Sequence, residues 1–239
     1  MTIYYSICFS LGKAKENLYI LMMMLQIKAL KKVGMLQDGD VYVCVADEET
    51  AAEIQKQQTL KDILLVRVPK PRDALEGMSL KYAFPGLYPC NTETIVYLDL
   101  DMMPLRRVNF DVPLGKLIAY PEGPPTHDNY SGGESLDLPA GASGGFFVYK
   151  DSPEIRKLFK SIYQRMVEKP QKHYTVDQPY FNHALAQNKD IIGFMNPNTV
   201  SFNGNNYMDT ANFVNLCGDP GDGSLHLFKM LNFYLMIFP

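Results

Sequence analysis

The sequence predicts an α/β fold: a mixed, mostly parallel β-sheet flanked by helices. β-rich apolar runs stand at residues 3–9, 40–47 and 62–69, each short enough for a strand buried on both faces. Helix-forming segments at 15–35 and 48–59 separate these runs. Strands that alternate with helices along a chain pack as a parallel sheet with helices on its faces.

Later segments continue the pattern less regularly. Residues 76–88 predict a helix and 94–101 a strand; a strand over 145–152 and helices over 153–169 and from 175 onward follow. An irregular Gly- and Pro-rich loop (121–145) precedes the strand 145–152, and a second irregular region (193–224) follows the last of these helices. With 239 residues, 46% hydrophobic, we expect a single domain, 1–239.

Composition narrows the function classes. A net charge of −3 with scattered Lys and Arg gives no basic stripe, so nucleic acid is not an expected partner. The cysteines show neither zinc spacing nor a disulfide framework, and Cys8 and Cys44 are expected in the core. The apolar run at 18–27 is too short to span a bilayer, so we expect a cytoplasmic protein without a transmembrane segment.

An acidic pair ends the predicted strand 94–101. Asp99 and Asp101 are separated by one residue at the carboxyl end of this strand, where open parallel sheets bind ligands. Two close carboxylates need a compensating cation, and Mg²⁺ or Mn²⁺ would bridge them to a diphosphate. The alternative is that they only cap the turn before Pro104. A haloacid-dehalogenase phosphatase is disfavoured by Met103 and by the late position of the strand.

The ordered set of motifs resembles the GT-A nucleotide-sugar glycosyltransferases, in particular the glycogenin-like family 8. It comprises a first strand and helix, "SLKYAF", the Asp-x-Asp strand, "SGGFFVY", "VDQPYFNHAL" and a late His. The resemblance implies a Rossmann-like GT-A fold, with a nucleotide-binding half (1–103) and a sugar- and acceptor-binding half (104–239). The chain is also similar to a glycosyltransferase domain of large algal viruses, which would place it in the host cytoplasm.

The resemblance implies a metal site formed by Asp99, Asp101 and His226, with Asp99 and Leu100 also near the nucleotide. A histidine ligand would favour Mn²⁺ over Mg²⁺. Lys81 would contact the donor phosphates or sugar; the alternative is a solvated helix lysine.

Further nucleotide contacts are implied at the first two strands and near the chain end. Ser6, Ile7 and Cys8 would hold uracil and ribose, and Asp47 would lie at the same rim; ordinary strand packing is the alternative. Lys229 stands in for a phosphate-binding lysine, although the motif around it departs from the family.

In the sugar-binding half, the resemblance places Asp177 and Gln178 beside the donor sugar. Asp177 followed by Pro179 is also a good helix start, and we expect it to be an N-cap with an exposed carboxylate. Ala142 stands where the family has Asn, so one sugar contact is missing or supplied elsewhere. His127 and the aromatic residues Tyr130, Phe202 and Tyr207 are candidates for the sugar pockets.

The function implied is metal-dependent transfer of a sugar from a nucleoside-diphosphate donor, most simply a UDP-sugar, to a hydroxyl of a glycan or glycoprotein. A retaining reaction would use Asp177 or Gln178 beside the sugar, and an inverting one would use Asp137 or Asp177 as base. A sugar-phosphate nucleotidyltransferase is the enzyme alternative, although "SLGKAK" is a poor version of its signature. A non-catalytic nucleotide-sugar-binding protein is the other alternative.

Overall fold

The computed structural model describes residues 1–9, 16–90, 93–123, 136–170, 176–204, 208–217 and 223–238. The strands are β1 (Thr2–Cys8), β2 (Val41–Asp47), β3 (Leu64–Val68), β4 (Thr94–Leu98), β5 (Met102–Pro104), β6 (Leu117–Pro121), β7 (Ala142–Lys150), β8 (Ile192–Phe194), β9 (Val200–Phe202) and β10 (Phe213–Asn215). The helices are α1 (Glu16–Lys32), α2 (Glu48–Gln55), α3 (Ala74–Leu87), α4 (Pro153–Glu168), α5 (Gln178–Ala186) and α6 (Gly223–Ile237), with short 3-10 turns at Gln58–Leu60 and Pro197–Thr199.

The chain divides into two compact units. The first comprises Met1–Lys70, Leu98–Asn109 and Asn198–Pro239, and the second comprises Pro71–Tyr97 and Phe110–Pro197. Each unit is therefore assembled from segments distant in sequence.

The first unit contains the parallel strands of the main sheet in the order β3-β2-β1. β1 is buried from Ile3 onward and β2 from Tyr42 onward, as expected for strands covered on both faces. α1 ends at Lys32, and Gly34 follows with φ of 72°, the left-handed conformation that glycine adopts readily at a helix end. This unit also contains a smaller sheet in the order β5-β10-β9.

A strand passes directly into a helix in the first unit. Asp47 is the last residue of β2, and α2 begins at Glu48. The Asp47 carboxylate accepts hydrogen bonds from the Thr50 backbone N (3.0 Å) and from Thr50 Oγ1 (2.9 Å). The side chain thus satisfies one of the amides exposed at the start of the helix.

The second unit contains the strands of the main sheet in the order β4-β7-β6-β8, with β6 antiparallel to β7 and parallel to β8. Its core is an aromatic cluster around Phe147 of β7. The Phe147 ring stacks on Tyr97 at 4.9 Å between centroids and contacts Phe159 of α4 and Phe181 of α5. Aromatic burial of this kind joins the helices to the sheet.

The predicted α/β fold, a mostly parallel sheet flanked by helices, is confirmed. The helix start at Pro153 is confirmed by α4, which Ser152 caps through the Ile155 N–H. The expectation that 193–224 is irregular was wrong for β9 and β10, because strands of three residues carry no readable alternation. The predictions of a single domain and of two halves that meet after residue 103 stay predictions. Among the described residues no helix is both long and apolar enough to cross a membrane.

Candidate active site

The acidic pair lies on a tight turn that follows β4. Leu98 ends the strand, and the Met102 backbone N donates to the Asp99 carbonyl oxygen at 3.0 Å, which closes the turn. Asp99 and Asp101 are half-buried and Leu100 is buried. The sequence therefore placed both carboxylates correctly at the carboxyl end of a buried strand.

A side chain that sequence reasoning missed lies against this turn. Gln26, in α1, is fully buried and its Nε2 donates to the Asp99 carbonyl at 2.7 Å and to the Met102 carbonyl at 2.8 Å. The available signal was a single amide in the apolar run "LMMMLQI". A buried amide among apolar neighbours requires polar partners, and here they are the backbone of the acidic turn.

The turn also joins the small sheet of the first unit. The Leu216 backbone N, just after β10, donates to the Asp101 carbonyl at 3.0 Å. Burial raises the pKa of the half-buried Tyr19 hydroxyl, and the nearby Cys8 and Asp101 add to the rise. The charge of Asp101 therefore acts on Tyr19, a residue that sequence reasoning did not name.

His226, the third metal ligand implied by the resemblance, lies near the start of α6 in the same unit. Its Nε2 atom is buried, as is the Oδ1 atom of Asp101. Within the described ranges, no three His, Cys, Asp or Glu side chains form a group that could hold a metal ion as they stand. The chemistry of the donor set is suitable for a hard cation at Asp99 and Asp101, because both offer carboxylate oxygens on one fixed turn.

Lys229 lies one helical turn beyond His226. Its Nζ donates to the Cys217 carbonyl at 2.9 Å and to Asn203 Oδ1 at 3.2 Å. The lysine thereby ties α6 to the segments that follow β9 and β10. Contact between Lys229 and phosphate stays a prediction.

The residues implied for the nucleotide base and ribose are deeply buried on β1 and β2. Ser6 Oγ donates to the Leu98 carbonyl at 2.6 Å, Ile7 is a core residue, and Asp47 caps α2 as described above. Cys8 and Cys44 are core residues, as expected. A hydrogen bond with Cys8, together with burial, raises the pKa of the Cys44 thiol well above its usual range. Structural roles are therefore present at each position, and nucleotide contact stays a prediction.

The second unit contains a buried ion pair built on Lys81 of α3. Lys81 Nζ lies 3.1 Å from Asp177 Oδ2 and donates to the Gly144 carbonyl at 2.8 Å, and the Tyr82 hydroxyl donates to the same Asp177 oxygen at 2.6 Å. The Lys81 ammonium also lies 4.8 Å from the centre of the Tyr97 ring, a cation–π distance. The alternative of a solvated helix lysine was therefore wrong, because the side chain of Lys81 is only 1% exposed.

Asp177 precedes α5, as predicted, but its expected exposure was wrong. The residue is buried, and its side chain makes no capping hydrogen bond to the helix. The reason is that the carboxylate is held by Lys81 and Tyr82 instead.

Gln178 is buried beside the ion pair. Its Oε1 accepts a weak hydrogen bond from the Gly144 backbone N at 3.4 Å. Its Nε2 is buried and has no hydrogen-bond partner among the described residues. Ala142 stands where the glycogenin-like enzymes have Asn. Its backbone N donates to Asn182 Oδ1 at 2.7 Å, and its carbonyl accepts from Asn182 Nδ2 at 2.9 Å.

The alternative catalytic base has a different environment. The side chain of Asp137 is 91% exposed and forms a surface ion pair with Lys189. Phe202 is half-buried in β9, whereas His127, Tyr130 and Tyr207 lie outside the described residues. Asp137 is thus the accessible carboxylate and Asp177 the enclosed one.

Comparison with solved structures agrees with this fold. No protein-family model matches the chain, and no curated protein sequence does. Among solved structures, the apo structure of WbbM, a bifunctional glycosyltransferase, matches with a TM-score of 0.62 and 10% sequence identity. The match covers 99% of this chain and 51% of WbbM. The chain shares its fold with a glycosyltransferase. It spans about half the length of that protein.

Proposed function

We propose that this protein is a glycosyltransferase that moves a sugar from a nucleoside-diphosphate donor, most simply a UDP-sugar, to a hydroxyl of a glycan or glycoprotein. The observation that carries the proposal is the acidic turn Asp99–Asp101, fixed at the carboxyl end of β4 in a chain that shares a glycosyltransferase fold over nearly its whole length. In sheets of this class the ligand binds at that end of the strands.

Asp99 and Asp101 would hold a divalent cation, Mn²⁺ or Mg²⁺. His226 is proposed as the third ligand and would have to move to join them, because within the described residues the three side chains form no metal-binding group as they stand. When bound, such a cation neutralises the diphosphate leaving group, the main charge that develops as the bond to the sugar breaks. The buried Asp101 Oδ1 supports this assignment, because a carboxylate oxygen removed from water is stabilised by a nearby cation.

The proposed roles around the sugar rest on the second unit. The buried Nε2 of Gln178 is a donor suited to a sugar hydroxyl or to the attacking acceptor. Asp177 would support a retaining reaction electrostatically, while Asp137 would be the accessible base of an inverting one. The stereochemistry of the product, read by NMR, separates the retaining route from the inverting one. Asn substitution of each aspartate then tests whether that residue acts in the route found.

The test is UDP release from UDP-sugars in the presence of Mn²⁺. We expect slow donor hydrolysis by the unaltered protein, its loss on chelation with EDTA, and a fall of at least tenfold in Asp101→Ala, which corresponds to about 1.4 kcal/mol. Asp38→Ala is the matched control, since it removes an exposed carboxylate from the same unit. Its rate should equal that of the unaltered protein.

Other outcomes select the alternatives. UDP binding without turnover on any donor or acceptor would identify a non-catalytic binding protein. Pyrophosphate release from UTP and a sugar phosphate would identify a nucleotidyltransferase. Equal rates in Asp101→Ala and Asp38→Ala would remove the acidic turn from the mechanism.

A further inference from the structure

We infer that Gln26 is a positioning residue, which holds the acidic turn in the shape in which Asp99 and Asp101 would bind the cation that accompanies the donor diphosphate. The inference rests on the proposed function for the role of the turn. Its structural basis is a buried polar network within the first unit, formed by side chains of α1, β1 and β2.

The donor side of the Gln26 amide spans the turn. Both Nε2 protons are used, one on the Asp99 carbonyl at the start of the turn and one on the Met102 carbonyl at its end. The Asp99 carbonyl also accepts the turn-closing bond from the Met102 amide. One side chain therefore fixes the separation of the two ends of the segment that carries both carboxylates.

The acceptor side of the same amide fixes its orientation. Gln26 Oε1 lies 2.7 Å from the Tyr42 hydroxyl and 3.2 Å from Ser6 Oγ, and these two hydroxyls lie 2.9 Å apart. Reversal of the amide would direct Oε1 at two backbone carbonyl oxygens, which offer no proton. The network thus permits one orientation of Gln26.

The strand that leads into the turn is held by the same network. Ser6 Oγ donates to the Leu98 carbonyl at 2.6 Å, and Leu98 directly precedes Asp99. Gln26 is bound to the carbonyls of residues 99 and 102, and the Leu216 N–H is bound to the carbonyl of residue 101, so four carbonyls of the segment 98–102 are engaged. Such fixing preorganises charged groups before a ligand binds.

The experiment compares Gln26→Met with Tyr42→Phe. Gln26→Met keeps the length and burial of the side chain but removes both bonds to the turn. Tyr42→Phe removes a hydroxyl from the same network and leaves the two Nε2 bonds in place. Both variants lose buried hydrogen bonds, so the pair controls for a general loss of stability.

Two measurements are made on each variant: amide hydrogen exchange of residues 98–103 by mass spectrometry, and the Mn²⁺-linked affinity for UDP by calorimetry. In Gln26→Met we expect exchange at least tenfold faster and UDP affinity about tenfold weaker. In Tyr42→Phe both quantities should stay within about threefold of the unaltered protein. Equal changes in the two variants would overturn the inference.

A third measurement needs no substitution. In the unaltered protein labelled with ¹⁵N-glutamine, the side-chain amide of Gln26 should exchange slowly with solvent; fast exchange would overturn the inference even if Gln26→Met does not fold. If the unaltered protein shows no Mn²⁺-linked affinity for UDP, the proposed function fails. The exchange results still decide whether Gln26 holds the turn.

Discussion

Removal of the lysine from the buried ion pair of the second unit should destabilise the protein strongly. The side chains of Lys81 and Asp177 are 1% and 7% exposed, and Lys81 Nζ lies 3.1 Å from the carboxylate. Lys81→Met keeps most of the side-chain volume but leaves the Asp177 charge buried with the Tyr82 hydroxyl against it. Breaking a buried pair from one side costs about 3–5 kcal/mol, and for a protein of this size that lowers Tm by roughly 6–20 °C.

The double variant Lys81→Met/Asp177→Asn separates charge from packing. It contains no uncompensated charge, and the amide oxygen of the introduced asparagine can still accept the Tyr82 proton, so most of the lost stability should return. Lys70→Met is the surface control: Lys70 and Glu49 are 51% and 60% exposed, and such pairs contribute about 0–1 kcal/mol. Thermal and urea unfolding measured by circular dichroism give the free energies. If Lys81→Met costs no more than Lys70→Met, the argument from burial is refuted.

Two further predictions concern Gly144 and Cys90. A Cβ at Gly144 would lie 2.6 Å from Asp177 Oδ2, so Gly144→Ala should lower the free energy of unfolding in urea by about 1–3 kcal/mol. The control Gly86→Ala, whose Cβ would meet nothing within 4 Å, should be neutral or slightly stabilising. Equal effects of the two substitutions would contradict the packing around Gly144. Burial raises the pKa of the Cys90 thiol from 9.0 to about 12, so the unfolded chain loses this proton first and stability should fall as pH rises from 9 towards 12. Cys90→Ala should reduce this fall of the unfolding free energy with pH, and the control Cys217→Ala, which alters a half-buried cysteine, should not. If the unfolding free energy of Cys90→Ala fell with pH as steeply as that of the unaltered protein, Cys90 would not be the group responsible.

The acidic turn was predictable from sequence because its signal is local. An uninterrupted apolar run followed by two carboxylates predicts a buried strand with charge at its end, and strand direction then fixes the edge of the sheet. The same reasoning identified β1, β2 and the start of α4, where strand propensity or a proline marks the element directly.

The buried ion pair was not predictable in the same way. Lys81 and Asp177 are 96 positions apart, and their contact depends on how α3 and α5 pack in the second unit. The one local hint was that Lys81 stands among Leu80, Tyr82 and Phe84, all of them buried, so the helix offers no solvated face at this point. Gln26 had a similar hint, but its partners are backbone carbonyls that no sequence pattern displays.

No loop separates β2 from α2, because Asp47 is both the last residue of the strand and the N-cap of the helix. An inserted residue would rotate every helical side chain by about 100° relative to the sheet, as follows from 3.6 residues per turn. This corner is thus unsuitable for tags, loop grafts or circular permutation. A change of ligand affinity in an Asp47 variant would therefore indicate ligand contact only if the Tm of the variant equalled that of the unaltered protein.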